Sequence, residues 1–361
     1  MVNNKNKSLV ILQTAAPDYR KKFFTLLSKK YDGDFKLLAG KNYLSSSVKT
    51  DDTIPNLYHI KNHFFFDRRI LFQTGMWRRT LSADILIVEL NPRIITNWII
   101  IILRLCLLKR TILWGHAWSV HGKNSIHDSI RNLMRNLGGK IICYTKTQAT
   151  ELKEYMPKKK IFYAPNSVYY KDEMVLPEAD VGNNIIYVGR LTKPKKPEIA
   201  IRAFHSILDN LPEDSNLIIV GDGEERKNLE IIIEDLELGD RVHLLGHIGE
   251  YSKLQELYST AIASISPGYV GLSITQSFGF GVPMIVSRNE KHSPEIECVI
   301  ENENAIFFDT DNKEDFGKKM LQIIDNGYEW KKKRKEIREF CRDNYSVESM
   351  VSGYLEGINN G

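Results

Sequence analysis

The stretch Ile265–Val286, ISPGYVGLSITQSFGFGVPMIV, decides how the rest of the chain is read. It predicts a buried strand, a glycine-containing loop, a short helix, a Gly-Val-Pro turn and a second buried strand. The loop around Gly268, Gly271 and Leu272 opens directly into the helix. The first N–H groups of a helix lack internal partners and carry a partial positive charge. Glycine lets a ligand approach them closely. The stretch is therefore expected to hold a phosphate or diphosphate.

Working outward, the chain alternates apolar runs with amphipathic segments. Strands are expected at Leu9–Leu12, Phe35–Ala39, Ile85–Val88, Thr111–Trp114, Lys140–Tyr144 and Ile161–Ala164. Helical patterns such as Tyr19–Lys30 and Ile126–Leu137 separate them. The polar stretch Lys171–Asn184, with Pro177 and Gly182, breaks the alternation. It then restarts with strands at Ile185–Val188, Leu217–Val220, Val242–Leu245, Ala261–Ile265, Met284–Val286 and Ala305–Phe308. This pattern predicts an α/β chain of two doubly wound, Rossmann-like domains, with ligand at the carboxyl ends of their strands. The expected division is a first domain over 1–172, a linker over 173–184, a second domain over 185–329, and C-terminal helices over 330–361.

Charge is uneven. Residues 1–180 hold 29 Lys/Arg and 15 Asp/Glu, a balance of +14; residues 181–361 hold 21 and 30, a balance of −9. The basic half suggests an anionic partner such as a membrane surface. Trp98–Leu108, WIIIILRLCLL, is too short to span a bilayer and contains Arg104. It is expected to be a buried helix, with partial embedding in a membrane interface as the sharper alternative. Basic and aromatic residues are dispersed rather than interleaved, which argues against nucleic-acid binding. The cysteines Cys106, Cys143, Cys298 and Cys341 lie far apart, without metal-ligand spacing, as expected of a reducing compartment. The apolar run Leu9–Leu12 is too short for a secretion signal, so a cytoplasmic location is expected.

Several polar residues follow strands. In the second half, Arg190 closes YVGRL, and Lys195 and Lys196 come next. Two cations there can clamp a diphosphate. In the first half, His116 follows the strand ending at Trp114, Tyr19 and Arg20 follow the first strand, and Arg93 follows another. Val220–Glu224, VGDGE, lacks the third glycine of a dinucleotide fingerprint and is expected to be a tight turn. Asp309-Thr310-Asp311 is better explained by an N-cap at Asp309 or Asp311 than by a metal site. His59/His63 and His243/His247 have no evident third ligand.

Together these pieces resemble the retaining glycosyltransferases of family 4, the "group 1" enzymes of GT-B fold. The resemblance rests on YVGRL (187–191), VGDGEE (220–225), LLGHIGEYSKLQELYSTA (244–261) and SPGYVGLSITQSFGFGVPMIV (266–286). LQTAAPDYRKKFF (12–24), VELNPR (88–93), WGHAWS (114–119) and YAPNS (163–167) are similar to the family's N-terminal domain. NYSVESMVSGYLEGI (344–358) resembles its last helices, which cross back onto that domain. The resemblance implies that Arg190 and Lys195 bind the donor diphosphate, with Lys196 as a substitute, and that His116 lies near the transferred sugar. It also implies that the N–H groups of Gly271, Leu272 and Ser273 receive the distal phosphate. Tyr19, Arg20 and Arg93 fall on the acceptor side. The family's two glutamates, eight residues apart, are here Gly268 and Gln276. Gln276 can still hydrogen-bond a ribose; Gly268 offers no side chain.

The expected activity is retaining transfer of a sugar from a nucleotide-diphosphate sugar to a lipid-linked or glycan acceptor. The expected setting is cell-surface polysaccharide synthesis such as lipopolysaccharide, O-antigen or capsule. No cofactor and no metal are expected, and the enzyme would be peripheral on the inner face of the cell membrane. The alternative is a catalytically inactive subunit that docks on an active partner.

Overall fold

The computed structural model describes residues 7–45, 48–119, 122–123, 125–176 and 182–360. The chain divides into two compact units, 1–168 with 346–361, and 169–345.

The first unit is built on a seven-stranded sheet in the order Leu57–His59, Asp34–Ala39, Ser8–Gln13, Ile85–Glu89, Thr111–Gly115, Lys140–Cys143 and Lys160–Tyr163. Every neighbouring pair is parallel. Leu9, Ile11, Leu86, Ile87, Leu113 and Ile141 are fully buried, as in a sheet covered on both faces. Strand order reverses between Ser8–Gln13 and Ile85–Glu89, which makes that point the switch point of the unit.

An antiparallel hairpin, Lys61–Phe65 with Ile70–Thr74, accompanies this sheet and was not expected from the sequence. Its turn places Phe66, Asp67 and Arg68 at φ of 51°, 49° and 63° without a glycine. Arg68 holds the turn both from within the hairpin and from outside it. The Arg68 guanidinium lies 3.8 Å from the Phe64 ring centroid, and its Nε donates to the Leu44 carbonyl at 2.9 Å.

The helix Ile95–Cys106 buries Ile100, Ile101 and Arg104. Arg104 donates to the carbonyls of Thr80 and Ala83, both at 2.8 Å, which is how a guanidinium survives in an apolar helix. Ile102, Leu103, Leu107 and Leu108 remain exposed at its end. No helix among the described residues is long and apolar enough to cross a membrane.

The second unit carries a six-stranded sheet in the order Val242–Gly246, Leu217–Val220, Asn184–Val188, Ala261–Ser266, Met284–Ser287 and Ala305–Phe308. It too is parallel throughout. Its core gathers Ile185, Leu217, Ile219, Phe204, Phe308 and Phe316. Here the order reverses between Asn184–Val188 and Ala261–Ser266.

The observed division differs from the expected one at both ends. The second unit begins at Tyr169 rather than 185, because Tyr169 and Met174 are buried. The Tyr169 ring packs edge-on against Tyr251 and Phe280. Residues 177–181 of the expected linker lie outside the described residues. The C-terminal segment changes unit at 345/346, not at 330. The helix Gly327–Asn344 stays with the second unit. Its buried Arg334 donates to the carbonyls of Ala261, Tyr258 and Phe280 at 3.1–3.2 Å. Only Val347–Asn359 belongs to the first unit. There Tyr354 packs against Phe23 and Trp114, and the Gly357 carbonyl accepts from Lys140 Nζ at 2.9 Å.

The helix Lys313–Asp325 is capped by Asn312, whose side chain accepts from Asp315 N. This corrects the N-cap expected at Asp309 or Asp311.

Candidate functional site

In the second unit the loops that follow the two switch-point strands lie together. After Val188 the chain passes through Gly189 and Arg190 into a 3-10 turn, Lys193–Lys195. Gly221, at φ 150°, approaches this loop closely: a Cβ on it would lie 1.8 Å from the Gly189 carbonyl oxygen. The VGDGE turn thus braces the loop that carries Arg190, a structural duty that needs no nucleotide.

After Ser266 the second loop runs Pro267–Leu272 and enters the helix Ser273–Gly279, with Leu272 at the N-cap position. Tyr269 joins the two loops. Arg190 Nη2 donates to the Tyr269 hydroxyl at 3.1 Å. Lys195 Nζ donates to the Tyr269 carbonyl at 2.7 Å and lies 3.7 Å from the Tyr269 ring centroid. A Cβ on Gly271 would sit 3.8 Å from Lys195 Nζ, so the ammonium stands beside the loop that leads into the helix. Burial, with the nearby Arg190 charge, lowers the Lys195 ammonium to about 8, against a partial restoring effect of Glu295. Such a cation has lost part of its hydration and gains most from an anionic ligand.

Gly268 is glycine for a steric reason. A Cβ there would lie 2.3 Å from the Pro194 carbonyl oxygen and 2.7–2.8 Å from Lys195 backbone atoms. The 193–195 turn occupies the space that a side chain at 268 would need. Gln276 is oriented by its own unit: its Nε2 donates to the Tyr169 hydroxyl at 2.7 Å. Lys196 points elsewhere. Its φ is 51°, and its Nζ pairs with Glu290 and Asp311. Burial opposes its charge, but the hydrogen bonds to Asp311 and Glu290 outweigh that and raise its pKa.

In the first unit a cavity of about 890 Å³ opens at the carboxyl ends of Ser8–Gln13, Ile85–Glu89 and Thr111–Gly115. Tyr19, Arg20, Arg93 and His116 all line it. Arg20 is almost fully buried, its guanidinium 5.1 Å from the Trp114 ring centroid and 5.6 Å from Tyr144. The His116 ring meets Tyr144 edge-on at 4.7 Å. Burial first, then the charges of Arg131 and Arg20, lowers His116 to about 4, so it is neutral near pH 7. Arg93 is engaged, donating to the carbonyls of Arg69 and Arg68 at 2.8 and 2.7 Å. It shapes the wall of the cavity by holding the hairpin turn.

Two cavity residues escaped the sequence reading. Glu89 is buried and accepts from Thr14 N at 2.6 Å and Thr14 Oγ1 at 2.9 Å. Burial raises it to about 7, opposed by those hydrogen bonds and by Arg20. Arg131 donates to the carbonyls of Leu90 and His116 at 2.6 and 3.0 Å, and burial lowers it to about 10. Glu89 lies inside VELNPR as the last residue of a buried strand, where the apolar run carries no signal for it. Arg131 looked like one more polar residue of an amphipathic helix.

Among the described residues no three His, Cys, Asp or Glu side chains come together as a metal site. His59 pairs with Asp52, and His63 and His243 bond Thr74 and Asn216.

Residues 171–343 match the family model described as glycosyl transferases group 1. The chain is 23% identical over 244 residues to an uncharacterized glycosyltransferase of Haemophilus influenzae, covering 66% of this chain and 67% of that protein. It is 24% identical over 157 residues to LpsE of Rhizobium meliloti, a lipopolysaccharide core biosynthesis glycosyltransferase, covering 43% of this chain and 45% of that one. The crystal structure of Anabaena HepE in complex with UDP superposes with a TM-score of 0.71 at 13% identity, over 98% of this chain and 100% of that chain. The fold is GT-B.

Proposed function

We propose that this chain, whose residues 171–343 match the group 1 glycosyltransferase model, transfers a sugar from a nucleotide-diphosphate sugar to a lipid-linked or glycan acceptor. The setting would be surface polysaccharide synthesis, as the name of the Rhizobium relative suggests. The observation that carries the reading is the meeting of Arg190 and Lys195 on Tyr269 at the switch point of the second sheet. Ligands of open α/β sheets bind at that position.

In this reading the bond between the anomeric carbon and the diphosphate oxygen breaks as positive charge grows on the sugar. Arg190 and the partly dehydrated Lys195 stabilise the negative charge that grows on the leaving diphosphate. The N–H groups of Gly271, Leu272 and Ser273 add to that field. The acceptor oxygen bonds to the anomeric carbon on the same face, and its proton passes to the departing phosphate oxygen, so configuration is retained. Gln276 takes the ribose through its side-chain amide. Charge stabilisation by these cations makes a resident metal unnecessary. The cavity of the first unit receives the acceptor between Tyr19, Arg20 and the wall held by Arg93, and neutral His116 serves as a hydrogen-bonding partner for the sugar.

The acceptor's membrane would be met by the exposed Leu103, Leu107 and Leu108, beside the exposed Arg110, on the basic first half. The enzyme would thus be cytoplasmic and peripheral on an anionic bilayer.

A panel of nucleotide-sugars, followed by release of nucleoside diphosphate in the presence of a lipid-linked glycan extract, tests the reading. One donor that releases diphosphate and yields a product of retained configuration supports it. An inverted product would refute the retaining step. Gly268, with no side chain for the donor sugar, favours a second reading, in which the chain is an inactive subunit docked on a partner transferase. Calorimetry with the same panel separates the two, because that subunit would bind no donor.

A further inference from the structure

The two cations of the proposed donor site do not face each other across open solvent. A single residue stands at both. Tyr269 accepts from Arg190 Nη2 on its hydroxyl at 3.1 Å and from Lys195 Nζ on its carbonyl at 2.7 Å. Its ring also covers the Lys195 ammonium at 3.7 Å from the centroid. Its backbone is fixed independently. The preceding Gly268 lies against the 193–195 turn, and Tyr269 N donates to the Pro194 carbonyl at 3.4 Å. The next residue, Val270, donates to His292 Nδ1 at 3.0 Å, while the other ring nitrogen of His292 meets the Ser287 carbonyl at 2.8 Å. Tyr269 is therefore a rigid post rather than a loose loop residue.

We propose that Tyr269 is the positioning residue of the donor site, holding Arg190 and Lys195 at the separation that grips a diphosphate. This rests on the donor-site reading above and names the device that makes the site selective for a diphosphate over a monophosphate. Two like charges repel, and long side chains lose entropy when fixed. An aromatic hydroxyl for the guanidinium, with a carbonyl and a π face for the ammonium, offsets both costs before any ligand arrives. The absent side chain at 268 fits the same logic. A carboxylate there would compete for Lys195, whereas glycine lets the turn close and delivers Lys195 to Tyr269.

Lys195 also supplies a signature. It faces Arg190, Tyr269, Glu295 and His292, and burial with Arg190 holds it near 8. Diphosphate binding should weaken as pH rises through that value. Removing the ring admits water to the ammonium and returns it toward its ordinary value of 10.5, so the alkaline limb moves upward.

The test is calorimetric titration of the full chain with UDP, GDP, UMP and GMP, in the unaltered protein and in Tyr269→Phe and Tyr269→Ala. Tyr269→Phe keeps the ring and carbonyl and loses only the Arg190 contact. It should weaken diphosphate binding by about tenfold and monophosphate binding by less than about twofold. Tyr269→Ala should weaken diphosphate binding further and shift the alkaline limb upward. Equal losses for mono- and diphosphates, or variants that bind diphosphate as the unaltered protein does with an unmoved limb, would overturn the inference alone. Failure of the unaltered protein to bind either diphosphate would overturn the donor site itself, and this inference with it.

Discussion

Adding a single methyl group at Gly268 tests whether the close approach of two loops builds the cation cluster. Ordinary van der Waals contact begins near 3.4 Å, and a Cβ at 268 would lie 2.3 Å from the Pro194 carbonyl oxygen and 2.7–2.8 Å from Lys195 backbone atoms. The turn would have to retreat by roughly 1 Å, a large step for close-packed backbone. No side-chain rotation relieves the clash, because every atom met belongs to the main chain. The backbone of Gly268 is not left-handed, so the effect is steric rather than conformational. Overpacking of this kind costs about 1–3 kcal/mol. The displacement falls on Lys195, whose 2.7 Å bond to the Tyr269 carbonyl would break. Gly268→Ala should therefore lower the urea midpoint and weaken nucleoside diphosphate binding about tenfold or more. The comparison is Gly239→Ala, where the added methyl meets nothing within 4 Å. That variant should unfold at the wild-type midpoint or slightly above. A Gly268→Ala protein that unfolds with Gly239→Ala and binds diphosphate as the unaltered chain does would refute the argument that this glycine shapes the site.

Arg190→Ala and Lys195→Ala should each lower transfer by about a hundredfold or more while far-UV circular dichroism and melting stay near wild type; turnover within a few-fold of normal would remove them from the site. Glu89 is held at about 7 rather than 4.5 by burial. Its folded-state pKa is raised, so its contribution to stability is full below 4.5 and is lost as pH rises through about 7. Glu89→Gln, which mimics the protonated form, should be more stable than wild type by up to about 3 kcal/mol at pH 8 and equal to it at pH 4; a constant offset across urea titrations at those pH values would refute this. The full chain should float with vesicles containing anionic lipid, less at high salt, and less again for Leu107→Ser/Leu108→Ser; flotation indifferent to lipid charge would remove the membrane surface as a partner.

Much of the architecture was legible because parallel strands buried on both faces read as continuous apolar runs. Leu217–Val220 and Ala305–Phe308 have the limits their composition suggested. The missed hairpin, Lys61–Phe65 with Ile70–Thr74, shows what such reading loses. Its strands mix exposed and buried positions, and its turn uses three non-glycine residues at positive φ, held by Arg68 donating to the distant Leu44 carbonyl and by the distant Arg93 donating to the carbonyl of Arg69. The boundary at 345/346 was missed for a related reason. Arg334 looks like one more charge in a polar helix, and only its three carbonyl acceptors show that the helix is anchored in the second unit.

At the site, the sequence identified which strand ends carry the polar residues but not which cations remain available to a ligand. In GRLTKPKK the sequence places Arg190 and Lys195 at the diphosphate and leaves Lys196 as a substitute. The left-handed backbone at Lys196 turns its side chain to Glu290 and Asp311, while Lys195 meets Tyr269. The same logic separates Arg20 from Arg93 in the first unit: one guanidinium lies against aromatic rings beside Glu89 and His116, the other is spent on carbonyls. Gly268 is the sharpest case. A missing carboxylate in the sequence looks like a loss of function, yet in the fold it is the condition for the 193–195 turn to reach Tyr269. What distinguishes a site from a decoy here is where each charge's hydrogen bonds already go, and that depends on backbone conformation, at the residue itself for Lys196 and at the loop it meets for Lys195.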